Sequence, residues 1–200
     1  MKQFDINDVM KELVRTNPNG FINECHFQVE FGYALKRAFP RFDIHYEWSQ
    51  NKKRVDVFAQ DKKERIGFEF KYYTTKKEIV LNHGLKVVLK NQNNADLHRI
   101  GFWKDVKKLE GLIARGKIDK GYCLFLTNDA KVFLPVPEGN ADVDYDLSDG
   151  LRPMKNKLEH LTRDGSKNYS VELSKIDYEI KNKPYCPTNS SFRIVVLPID

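Results

Sequence analysis

The chain has 200 residues, with 34 Lys and Arg against 28 Asp and Glu, a net charge of +6 and a mean hydropathy of −0.60. That length suits one domain, residues 1–200, with a real core, and three cysteines (Cys25, Cys123, Cys186) without a C-x-x-C spacing exclude a disulfide framework and a zinc knuckle. No apolar run approaches the ~20 residues that cross a bilayer, and the first residues lack a signal core, so a cytoplasmic protein with reduced thiols and no membrane partner is expected.

Ile6, Val9, Met10, Leu13 and Val14 follow helical spacing, with Asn7 or Asp8 as the cap and Asn17-Pro18-Asn19-Gly20 as the stop. A second helix is predicted from Asn23 to Ala38, with Phe27, Phe31, Ala34, Leu35 and Ala38 as its apolar stripe. Glu24 falls inside that stripe, Gln28 lies one turn later on the same side, and Glu30 sits at the edge. The plain reading of Glu24 is a first-turn acid favoured by the helix dipole. After Pro40, Phe42, Ile44 and Tyr46 alternate with Asp43, His45 and Glu47 as in a half-buried strand over 42–48, and Trp48 to Lys53 reads as a turn.

Residues 54 to 71 read as a β-hairpin with strands at 54–59 and 66–72, which completes a meander. With its tip at Lys62-Lys63, Asp56 falls directly opposite Glu69, at the ~4.5–5.5 Å of paired Cβ atoms. Lys71 shares their face, and Val55, Val57, Phe68 and Phe70 take the other. Facing carboxylates repel and destabilise a strand pair; a divalent cation removes the repulsion. The plain alternative is a solvated polar face.

Tyr72 to Lys77 is basic and aromatic, which suits either a phosphate backbone with base stacking or a solvated strand end. A second hairpin turns at Asn82-His83-Gly84. The polar Lys90-Asn91-Gln92-Asn93-Asn94 leads into a helix from Ala95 to Arg115 with Phe102, Val106, Leu109 and Ile113 on its core face. Lys104, Lys107 and Lys108 lie largely off that face; a solvated surface is the simpler reading, phosphate contact the other. Gly121 to Thr127 reads as a central strand covered on both faces. Glu138, Asp142, Asp144, Asp146 and Asp149 make 138–149 an acidic loop on a basic body, a charge split that fits polyanion binding as well as plain solubility. Residues 135–168 look loop-rich, with strands at Tyr169–Leu173, Ile176–Ile180 and Phe192–Ile199. The expected fold class is α/β, a central mixed sheet flanked by helices.

Asp56, twelve intervening residues, then Glu69-Phe70-Lys71 resembles the signature of the PD-(D/E)xK phosphodiesterase superfamily, the restriction-endonuclease-like fold. Val55 stands where that signature often has Pro. Glu24 with Gln28 resembles the family's Glu-x-x-x-Gln on the preceding helix. The Phe-Leu-Thr-Asn-Asp run at 125–129 and the Lys-Asn-Gln stretch are similar to those of bacterial nuclease-like proteins. The resemblance implies a restriction-endonuclease-like arrangement. Its catalytic residues would be Glu24, Asp56, Glu69 and Lys71. Mg²⁺ or Mn²⁺ would be held by Asp56, Glu69, the Phe70 carbonyl and Glu24, the last through a water or a second ion.

The substrate expected is DNA, with RNA left open, and nucleic-acid contacts are assigned to Gln28, Tyr73, Lys76, Lys77 and Asn93. A homodimer also stays open. Lys71 orients the attacking water or stabilises developing charge, with general base as the other role. The competing readings are a non-cleaving nucleic-acid-binding or assembly protein on a nuclease-like fold, and a structural domain. Histidine pairs at metal spacing, Walker A, G-x-S-x-G and G-x-G-x-x-G are all absent.

Overall fold

The computed structural model describes residues 3–50, 53–161 and 167–200. Helix α1 (Ile6–Thr16) is capped by Asp5, whose carboxylate accepts the Asn7 N–H at 2.9 Å. The cap therefore lies ahead of the expected Asn7 or Asp8, which are already helical. Helix α2 (Glu24–Ala38) starts at Asn23, whose side chain accepts the His26 N–H at 2.8 Å. Strands β1 (Asp43–Gln50), β2 (Lys53–Gln60) and β3 (Arg65–Tyr73) follow as an antiparallel meander. The expected turn at Trp48 is in fact strand through Gln50; residues 51 and 52 lie outside the described residues. A ribbon of β4 (Lys77–Val80) and β5 (Lys86–Leu89) precedes helix α3 (Ala95–Ala114). Then come β6 (Lys120–Thr127), β7 (Gly150–Arg152), β8 (Lys157–Leu161), β9 (Lys167–Glu172), β10 (Tyr178–Ile180), β11 (Lys183–Cys186) and β12 (Asn189–Ile199).

Six strands form one mixed sheet in the order β1-β2-β3-β6-β12-β11, with β3 and β6 parallel and the other pairs antiparallel. Helix α3 lies in the connection between the two parallel strands, as a parallel pair requires. Both faces of the sheet are covered, which is why β6 reads as a near-continuous apolar run: Leu124 and Leu126 pack with α1 and α2, Cys123 and Phe125 with α3. Among the described residues the fold is thus α/β, a mixed sheet of six strands with three α-helices.

The region expected to be loop carries β7 and β8, which pair with β10 and β9 as two short ribbons on the α3 side. Most of its acids are engaged rather than free: Asp142 pairs with Arg99, Asp144 with Lys155 and Asp146 with Arg152, and Asp149 accepts from the Asn182 N–H at 2.7 Å. Buried Glu110 of α3 holds the chain between β9 and β10, accepting from the Ser174 N–H at 2.8 Å, the Lys175 N–H at 3.1 Å and the Tyr178 hydroxyl at 2.9 Å. Glu110→Ala strands the buried Tyr178 hydroxyl, and a buried donor without a partner costs about 1–3 kcal/mol; Ser174 and Lys175 are exposed residues. Urea unfolding is expected to show a loss of about 1–3 kcal/mol; a loss below about 0.5 kcal/mol would mean that water replaces the carboxylate.

Candidate active site

Strand β3 divides its side chains sharply. Ile66, Phe68, Phe70 and Tyr72 go into the core beneath α1 and α2. The α3 face instead carries Gly67, Glu69 and Lys71. At Gly67 an added Cβ would stand 3.1 Å from Leu109 and from Ile118, so the missing side chain lets α3 come close. The strand thus loses its apolar pattern on one buried face only, and two charged groups stand there.

Strand β2 runs beside β3 in the register expected from sequence, Val57 opposite Phe68 through Gln60 opposite Arg65. The turn supports this: the Asp61 carboxylate accepts the Lys63 and Glu64 N–H groups at 2.7 and 2.9 Å. The ladder ends one pair short of the expected Asp56–Glu69 pair. Glu47, on β1 beside Asp56, has φ of 53°, left-handed for a non-glycine residue. Beyond that point both strands exchange faces. Tyr46 reaches the Val29 carbonyl of α2, whereas Trp48 stacks on Phe58 on the α3 side. Val57 packs under α2, whereas Val55 packs with the α3 cluster. Val55 is therefore not on the face of Val57, Phe68 and Phe70, as strict alternation predicts.

The departure of β2 leaves two N–H groups on one edge of β3, and carboxylates take them. Phe70 N–H donates to Asp56 Oδ2 at 2.9 Å, and Tyr72 N–H donates to Glu24 Oε2 at 2.8 Å. The Phe70 carbonyl accepts from Lys71 Nζ at 3.1 Å. From the other side α3 supplies Asp105, paired with Lys71, and Lys108, whose Nζ lies 2.7 Å from Glu69 Oε2 and 3.2 Å from Asp105 Oδ1. Gly101, one turn before Asp105, has no side chain where a Cβ would stand 2.9 Å from Lys71 Cε. Glu24, Asp56, Glu69 and Lys71 thus meet at one place, joined by Asp105 and Lys108.

Burial raises the proton affinity of Glu24 and Asp56 above the usual carboxylate range. Glu69, only 2% exposed, is pushed up to about 9 by burial and then by Asp105 and Asp56, with Lys108 opposing. Burial works against the Lys71 ammonium, yet Asp105, Glu24 and Asp56 outweigh it and hold the group charged well beyond the ordinary lysine range. Glu69 Oε1 is buried and has no hydrogen-bond partner among the described residues. A buried carboxyl oxygen without a hydrogen-bond partner is an uncommon feature.

Among the described residues no group of three or more His, Cys, Asp or Glu side chains is spaced to cage a metal ion. The donors that the resemblance assigns first, the Asp56 and Glu69 carboxylates and the Phe70 carbonyl, are all hard oxygens; Glu24 and Asp105 add further carboxylates nearby, engaged with the Tyr72 N–H and with Lys71. One such ion needs only one or two carboxylates, because Mg²⁺ keeps several waters. Hard oxygens are the donor type that Mg²⁺ takes, and their spacing here is not that of a closed cage.

The remaining assigned residues separate. Gln28 is half-buried on α2 and its side chain makes no hydrogen bond to a described residue; Lys76 and Asn93 are exposed, and Lys77 reaches Ser191 Oγ at 3.2 Å. Tyr73 is buried with its ring against His98, at 5.0 Å between centroids, so it offers no open face to a base. Sequence reasoning missed Asp105 and set Lys108 on a solvated face. Asp105 lies about 70° from the centre of the α3 apolar stripe at 100° per residue, too far to read as inward. The two polar stretches at 90–92 and 127–129 brace the chain just past Lys71. Gln92 Oε1 accepts the Thr74 N–H at 2.8 Å; Asn128 Oδ1 accepts the Thr75 N–H at 2.8 Å and its Nδ2 donates to the Thr75 carbonyl at 3.0 Å. A larger cleft, about 570 Å³, lies by Arg41 and the β2–β3 turn, but its Arg41–Asp61 pair closes a turn and gathers no catalytic set.

No helix among the described residues is long and apolar enough to cross a membrane. No protein-family model, curated protein or solved structure matches the chain.

Proposed function

We propose that this chain is a metal-dependent phosphodiesterase acting on DNA, with a PD-(D/E)xK site on a restriction-endonuclease-like sheet. The observation that carries the reading is the convergence of Glu24, Asp56, Glu69 and Lys71 on the β3 edge, beside a buried Glu69 oxygen with no partner. Asp56, Glu69 and the Phe70 carbonyl would hold Mg²⁺ or Mn²⁺, which when bound supplies positive charge against the phosphate oxygens.

Lys71, held as an ammonium, donates to the charge that develops on the phosphate. A lysine kept protonated is a poor acceptor, so the general-base role is set aside in this reading. Asp105 orients Lys71, and Gly101 leaves room for its stem. Glu24 holds the β3 backbone and adds negative charge beside Lys71 and Asp56.

One observation favours a second reading, a nucleic-acid-binding or assembly protein that does not cut. Lys108 on Glu69 and Lys71 on Asp105 already neutralise much of the cluster. The two part in a plasmid-nicking assay. Wild-type protein in Mg²⁺ or Mn²⁺ is expected to nick supercoiled DNA, and Asp56→Asn to fall to background while its circular dichroism stays unchanged. A wild type that fails with both ions leaves the non-cleaving reading. Nicking that survives in Asp56→Asn removes this site as its source.

A further inference from the structure

Beside the carboxylate cluster, on the α3 side of Asp56, lies an open cleft of about 430 Å³ lined by Lys53, Arg54, Asp56, Lys104, Lys107 and Lys108. Five of its six lining residues are cations. Some are already neutralised: Arg54 pairs with Glu47, Lys107 lies 3.7 Å from Glu110, and Lys108 serves Glu69 and Asp105. Lys53 and Lys104 have no carboxylate partner among the described residues. Lys104 Nζ sits over the Tyr169 ring, 4.2 Å from its centroid. Both are exposed. Like charges gathered around a concave surface repel each other in the free protein and attract a polyanion.

We infer that this cleft is the seat of the DNA backbone flanking the reacting phosphate, and that it binds without regard to base sequence. The inference rests on the phosphodiesterase reading for its location, since Asp56 and Lys108 belong to both cleft and cluster. Its chemistry comes from the lining itself. Lys53 on β2 and Lys104 on α3 reach the cleft from two separate elements, which suits the repeated charges of a phosphate backbone better than one small anion. Reading base edges takes amides, bidentate arginines or open aromatic faces. The lining has neither Asn nor Gln nor an aromatic ring, and its one arginine is tied to Glu47.

The test is the salt dependence of duplex binding, followed by fluorescence anisotropy in EDTA so that no turnover intervenes. Neutralising one phosphate contact lowers the slope of log K against log salt by about 0.9. Lys53→Gln and Lys104→Gln are each expected to flatten the slope by about that amount, and the double variant by about 1.8. Lys62→Gln/Lys63→Gln removes the same charge at the opposite end of β2 and is expected to leave the slope unchanged. Two unrelated 20-bp duplexes are expected to bind the wild type within about twofold. The cleft assignment is overturned by a wild type that does not bind, by slopes that stay unchanged in the Lys53 and Lys104 variants, by an equal loss in the Lys62/Lys63 control, or by strong preference between the duplexes. The nicking assay is separate. Flattened slopes without nicking keep the cleft and remove the hydrolase reading; nicking with unchanged slopes does the reverse.

Discussion

Lys71→Met is expected to lower metal-dependent cleavage by about 10²–10³-fold, the usual cost of losing one preorganised donor to a developing charge. Methionine keeps much of the stem's length and apolar packing, so the space beside Gly101 stays filled. What disappears is the ammonium that Asp105, Glu24 and Asp56 together hold charged. The loss is expected in kcat and not in KM, because the donor is worth more to the transition state than to bound DNA. The cleft lysines behave oppositely, since phosphate contacts strengthen substrate and transition state alike. An unchanged kcat in Lys71→Met would show that Lys71 is a structural partner of Asp105 and nothing more. Asp105→Asn sharpens the test. It leaves the ammonium without its principal partner and is expected to reduce kcat less than Lys71→Met does, because the ammonium itself stays and Asp105 positions it, along with Lys108, rather than meeting the phosphate.

What the sequence disclosed about this site, and what it hid, follows from how local each feature is. The register of β2 on β3 was legible because Asp61 and a short charged turn fix it, and a register error would turn every core side chain outward. Glu24 was legible because an acid on an apolar helical stripe is anomalous. The exchange of faces at Glu47 and Asp56 was not legible. A left-handed glutamate carries no signal of its own, and it is this bend that withdraws β2 from Phe70 and Tyr72 and lets carboxylates replace it. Asp105 and Lys108 were hidden for a different reason. They approach Glu69 and Lys71 only because α3 packs over the sheet, and a long lysine side chain reaches well beyond the position of its Cα. Tyr73 misled because composition cannot separate a basic aromatic strand end from a core strand that happens to end in lysines.

Glu69→Gln is expected to stabilise the metal-free protein above neutral pH, although it removes a residue proposed to be catalytic. The sign follows from the shift. The Glu69 carboxyl is raised from 4.5 in the unfolded chain to about 9 in the folded one. A raised group contributes stability that is complete below its unfolded value and is lost as pH climbs toward its folded value. In EDTA the melting temperature of the wild type should therefore fall between about pH 5 and pH 9, and Glu24 and Asp56, shifted in the same direction, steepen the early part of the fall. Glutamine cannot ionise, so Glu69→Gln should flatten the curve and cross above the wild type by pH 8. Lys108 keeps its Asp105 contact at 3.2 Å in that variant and is not left without a counter-charge. Mg²⁺ should reverse the wild-type trend, because a cation favours the ionised carboxylates that burial disfavours; it should protect more at pH 8 than at pH 6, and leave Glu69→Gln nearly unmoved. If Glu69→Gln instead melts below the wild type at pH 8 in EDTA, the 2.7 Å pair with Lys108 outweighs the burial of the charge. The cluster would then be a self-sufficient salt-bridge network, with no call for a metal ion to complete it.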